Sequence, residues 1–105
     1  MKVETGARTA FILGRRAALD VAELRGLASQ GHEVLLVSVG FPPTASQRRA
    51  VDDALVLAAE LRFLLDAVLV TDMGDLDGLL TGAHEVHVVG SARERRRLER
   101  LIPTA

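Results

Sequence analysis

Four short segments carry the residues best suited to chemistry: Gly14, Arg15 and Arg16; Gly40, Phe41, Pro42 and Pro43; Thr71, Asp72, Met73 and Gly74; and Gly90, Ser91 and Arg93. Gly14, Gly40 and Gly90 each follow an aliphatic run directly, and a bare backbone at such a point lets a ligand come close. Arg15, Arg16 and Arg93, with Arg48 and Arg49 nearby in sequence, supply cations for a phosphate. The expected ligand site is therefore Gly14, Arg15, Arg16, Gly40, Asp72, Gly90, Ser91 and Arg93, holding an adenine nucleotide or another phosphate-bearing molecule. The competing explanation is plainer. Glycines end strands for turn geometry, arginines near helix starts are solvated, and Asp52, Asp53, Asp72, Asp75 and Asp77 offset the basic groups.

Sharper motifs are missing. After the first aliphatic run the text reads GRRAALD, with neither GxGxxG nor a Walker loop, which argues against a dinucleotide oxidoreductase. Asp72, Asp75, Asp77 and Gly78 lack the alternate spacing of a calcium loop, and Asp75 reads better as a helix cap. His84 and His87, three apart in or beside a strand, point to opposite faces and share no metal, and His32 has no evident partner. There is no cysteine, hence no thiol nucleophile or thiolate ligand. No nucleophile and base stand out, so the expectation leans away from an enzyme, and no cofactor is specified.

A net charge of −1 and 3% aromatic residues, with only Phe11, Phe41 and Phe63 available to stack, argue against nucleic acid as a partner. The cluster Arg93, Arg95, Arg96, Arg97 and Arg100 reads as a solvated helix face with Glu94 and Glu99 interspersed.

The elements that must position these residues follow from the hydrophobic pattern. TAFIL (residues 9–13), VLLVSV (34–39), AVLVT (67–71) and VHVV (86–89) alternate with longer helical patterns. The first three are continuously apolar, as in parallel strands covered on both faces. The expected fold is α/β: one small, three-layer, Rossmann-like domain over residues 1–105, with four mainly parallel strands. Helices are expected over about 15–29, from Thr44 to about 65 with a Thr44/Gln47 capping box, over about 75–80, and over 91–102 with a Ser91/Glu94 capping box and a stop at Pro103. In the second of these, ALVLAAELRFLL (54–65) is apolar around most of its circumference, so something must cover it, and the helix must overhang the sheet or break. A homo-oligomer joined through this segment is the alternative reading of the chain's role. No apolar run reaches the length of a membrane span, and residues 1–8, with Lys2, Glu4 and Arg8, carry no signal or lipid-anchor pattern. A cytoplasmic location is expected.

Between Ala17 and Asp72, the text ALDVAELRGLASQGHEVLLVSVGFPP and later DAVLVTD resembles the first part of electron transfer flavoprotein subunits and the wider adenine-nucleotide-binding α-hydrolase-like group. The residues that carry the resemblance are Gly31, Glu33, Val37, Ser38, Val39, Gly40, Pro42 and Pro43. It implies a nucleotide-binding fold with AMP or a flavin adenine nucleotide near the strand ends. The second helix is longer than in that pattern, the usual opening strand motif and a flavin-binding extension are missing, and electron transfer does not carry over. LASQGHEVLLVS is also similar to the N-terminal half of two-domain glycosyltransferases, whose second domain has no room here.

Overall fold

The computed structural model describes residues 7–102. Lys2, Glu4 and the helix stop expected at Pro103 lie outside the described residues. The elements are β1 (Arg8–Leu13), α1 (Val21–Ser29), β2 (Glu33–Val39), α2 (Ala45–Leu61), β3 (Leu65–Val70), α3 (Leu76–Leu80), β4 (Glu85–Val89) and α4 (Ala92–Glu99). All four strands are parallel, in the order β3-β2-β1-β4.

Side-chain alternation along the two central strands builds both layers of the core. Ala10, Ile12, Leu35, Val37 and Val39 face Leu76, Leu80 and Leu98 of α3 and α4. Phe11, Leu13, Val34 and Leu36 face Leu24 of α1 and Ala50, Ala54 and Leu57 of α2. Phe11, Ile12, Leu13, Leu24, Leu36 and Leu76 are fully buried, and each such side chain contributes roughly 2–3 kcal/mol of transfer free energy. The chain winds outward from β1 to β3 with α1 and α2 on one face. It then returns through α3, on the other face, to place β4 beside β1. The winding therefore reverses at β1, and the loops leaving β1 and β4 diverge to opposite faces of the sheet.

Several boundaries differ from the sequence expectation. α1 starts at Val21 rather than near Arg15 because Asp20 caps it, accepting from the amides of Ala22 and Glu23 at 3.0 and 3.4 Å. Residues 14–20 form instead a loop pinned by a turn from the Ala17 amide to the Gly14 carbonyl. α2 breaks at Leu61: Arg62 is left-handed (φ 59°) and its amide closes on the Ala58 carbonyl, which frees Leu65 to open β3. α2 is thus about 25 Å long. The cap before α3 is Asp72, which accepts from the Gly74 amide in a 3₁₀ turn over Met73–Asp75, whereas Asp75 makes no capping bond. α4 ends at Glu99, three residues short of Ile102. β3 is not covered on both faces as its composition suggested. It is an edge strand, and Ala67 and Leu69, on the α2 side of the sheet, stay exposed.

Candidate functional site

Both capping boxes form, and each does more than cap its helix. At α2, Gln47 is completely buried. Its Oε1 accepts from the Thr44 amide at 2.9 Å, while its Nε2 donates to the carbonyls of Leu13 and Val39 at 3.0 and 2.9 Å. One neutral amide thereby ties the last residues of β1 and β2 to the start of α2. The Thr44 hydroxyl accepts from the Gln47 amide and donates to the Arg15 carbonyl at 2.7 Å, fixing the β1–α1 loop to the same point. Arg15 lies across the end of β2, with Nη1 donating to the Val39 carbonyl at 3.3 Å. A Cβ on Gly40 would sit 2.6 Å from that Nη1, and the Gly40 φ of +93° already disfavours a side chain. Gly40 thus makes room for the chain's own arginine rather than for an open ligand cleft.

The strand ends on the other side of β1 are arranged differently. The Gly14 amide donates to the Val89 carbonyl at 2.8 Å, which holds the loops after β1 and β4 side by side. Between them lies Glu94, only 8% exposed. Its Oε1 accepts from the amides of Ser91 (3.1 Å) and Arg16 (3.2 Å), and the Ser91 hydroxyl accepts from the Glu94 amide at 3.3 Å. A Cβ on Gly90 would stand 2.7 Å from Oε1, and one on Gly14 would stand 3.0 Å from the carboxyl carbon. The glycines on this side therefore accommodate a carboxylate at the mouth of a helix, where anions are favoured by converging amides and the helix dipole.

Above Glu94 opens a pocket of about 330 Å³ lined by Arg15, Arg16, Ser91, Arg93 and Glu94. Among the described residues, the guanidinium groups of Arg15, Arg16 and Arg93 form no salt bridge. The amides of Ala92 and Arg93, in the first turn of α4, likewise have no partner among the described residues. The pocket is thus lined by three arginines around one carboxylate.

Of the residues expected from sequence, Gly14, Arg15, Arg16, Gly90, Ser91 and Arg93 come together here. Gly40 adjoins them only through Arg15. Asp72 follows β3, two strands away from β1, and caps the 3₁₀ turn there, so it is not part of the pocket. Glu94 and Gln47 were legible only as capping residues. The arginines of α4 are exposed. His32 does have a partner, the Thr9 hydroxyl at 3.2 Å, while His87 stacks on Phe11 with centroids 5.2 Å apart and His84 accepts from the Arg8 amide. No group of three or more metal-ligating side chains occurs among the described residues, and no helix there is long and apolar enough to cross a membrane. The chain matches no protein-family model, no curated protein and no solved structure.

Proposed function

We propose that this domain is a small-molecule binding module that holds a phosphate-bearing ligand at the crevice between the ends of β1 and β4. The observation that carries this reading is the pocket of about 330 Å³ lined by Arg15, Arg16 and Arg93, none of which has a salt-bridge partner among the described residues, at the point where the winding of a parallel sheet reverses. Such crevices are the usual ligand sites of open parallel sheets.

In this reading the phosphate rests on the Arg16 and Arg93 guanidinium groups and on the Arg93 amide, and Arg15 bounds the β2 side. Glu94 keeps one oxygen on the Ser91 and Arg16 amides. Its other oxygen accepts a hydroxyl or amino hydrogen from the rest of the ligand, because a bare phosphate would meet a like charge there. Nucleotides supply both features, and the sequence resemblance makes adenine nucleotides the first to test. The reading needs no catalytic group, and a reducing, cytoplasmic setting suits a chain without cysteine.

Calorimetric titration with AMP, ATP, flavin adenine dinucleotide and inorganic phosphate tests it. The expected result is binding of at least one nucleotide, tighter than phosphate, accompanied by a raised Tm and lost in Arg16→Ala/Arg93→Ala. Absence of both heat and Tm shift with all four compounds would dispose of the reading.

A further inference from the structure

From the pocket of Arg15, Arg16 and Arg93, α4 leads away with an unusual density of positive charge. Arg93, Arg95, Arg96, Arg97 and Arg100 are all exposed. Two glutamates stand among them in sequence, but the fold withdraws one of these as a partner: Glu94 is buried, with Oε1 on the Ser91 and Arg16 amides. Among the described residues, none of the five guanidinium groups forms a salt bridge, with Glu99 or with any other carboxylate.

Helical spacing sorts these charges. With Glu94 and Leu98 buried, Arg93, Arg97 and Arg100, related as i, i+4 and i+7, form one row on a solvent-facing flank. Arg96 stands beside the row, while Arg95 and Glu99, one turn apart from each other, lie on the other flank. Arg100 caps the helix in a right-handed helical conformation (φ −70°, ψ −21°), so the spacing holds to the end of the row. The row starts in the pocket, which Arg93 lines, and runs about 10 Å along the axis. Helix stability does not account for it. Like charges a turn apart, Arg93 with Arg97 and Arg97 with Arg100, destabilise a helix, and Arg93 stands in the first turn, where the dipole disfavours a cation. Long side chains on a helix lean toward its N-terminus, so Arg97 covers the turn of Arg93 and carries its charge toward the pocket.

We infer that the ligand carries more than one phosphate: the first occupies the pocket, and the phosphates linked to it continue along α4 onto Arg97 and Arg100. The inference rests on the reading of the pocket as a phosphate site and narrows its ligand to nucleoside diphosphates and triphosphates. Three unpaired arginines in line match a run of linked phosphates, each of which adds charge without adding a group that needs another kind of contact. A nucleic-acid backbone presents phosphates too, but the net charge of −1 disfavours it. No aromatic ring stands ready to stack successive bases either, since Phe11 is buried and neither Phe41 nor Phe63 lines the pocket.

Calorimetric titration of the full chain with AMP, ADP, ATP and the trinucleotide pApApA, at fixed ionic strength and without magnesium, tests the inference. Affinity should rise from AMP through ADP to ATP, by about tenfold overall, and pApApA should bind no tighter than ATP. Arg97→Gln/Arg100→Gln keeps good helix formers at exposed positions. It should bring ATP to within about twofold of AMP and cost AMP less than about twofold. Arg95→Gln, on the other flank, should leave the preference for ATP intact. If none of the four compounds binds the parent chain, the reading of the pocket fails and this inference with it. If AMP binds but ATP binds no tighter, if the preference for ATP survives Arg97→Gln/Arg100→Gln or is lost equally in Arg95→Gln, or if pApApA binds tighter than ATP, the row on α4 is not a track for linked phosphates of a nucleotide, and the pocket reading stands without it.

Discussion

Between β1 and β2 the terminal carbonyls of Leu13 and Val39 are both taken by the buried amide of Gln47, and the Arg15 side chain fills the space that Gly40 leaves. Between β1 and β4 the loops are spread by a carboxylate, and the space above it stays open to three arginines. Both sides begin with a glycine after an aliphatic strand, and both use a capping box on the following helix. The difference lies in the capping side chain. A neutral amide has donors as well as an acceptor, so it can satisfy strand-end carbonyls and close the site. A carboxylate only accepts, so it gathers amides from two loops and brings its own negative charge to the place an anion would use. The β2 side is a closed joint, and the β4 side keeps an open pocket.

Breaking the joint should have the largest effect. Gln47→Leu removes the side-chain donor from the Leu13 carbonyl and the acceptor from the Thr44 amide, and leaves the Val39 carbonyl only its bond from Arg15 outside the sheet; denaturant unfolding should show a loss of about 3 kcal/mol. Glu94→Gln sharpens the contrast from the other side. An amide oxygen can still accept from Ser91 and Arg16, while the like charge facing a bound phosphate is gone. Affinity for inorganic phosphate should rise about tenfold, or ~1.4 kcal/mol, by calorimetry. Gly90→Ala pushes the Glu94 carboxylate off its amides and should cost about 1 kcal/mol of stability, read from the thermal midpoint. The smallest change is expected of Arg48→Ala. This exposed residue on the β2 side touches the Pro43 carbonyl, and its loss should shift stability by less than about 0.5 kcal/mol and leave phosphate affinity unchanged.

Much of this arrangement could be read from the residues. The continuous apolar runs gave the parallel sheet, the Thr44/Gln47 and Ser91/Glu94 spacings gave both caps, and Gly14 and Gly90 marked the two loops that meet around Glu94. What failed depended on neighbours distant in sequence. β3 has the composition of a buried strand, yet it lies at the edge, because strand order is set by packing across the whole sheet. Asp72 looked like part of the site because its loop leaves the same edge, but two strands of lateral distance separate it from the pocket. Gln47 and Glu94 have identical local signatures. Their separate destinations, one under the β1 and β2 carbonyls and one between the β1 and β4 loops, follow from which strand each helix crosses. The early end of α2 at Arg62 was hidden for a related reason: the leucines around it serve equally well in a helix or a strand.

The sharpest single measurement is a titration of the isotopically labelled chain with AMP, followed by amide chemical shifts in NMR spectra. Shifts should concentrate at Arg15, Arg16, Ser91, Ala92 and Arg93, with Phe41 and Thr44 nearly unmoved. Shifts centred on Gly40, Phe41 and Thr44, or none anywhere at saturating nucleotide, would contradict the assignment of the open crevice to the β4 side of β1.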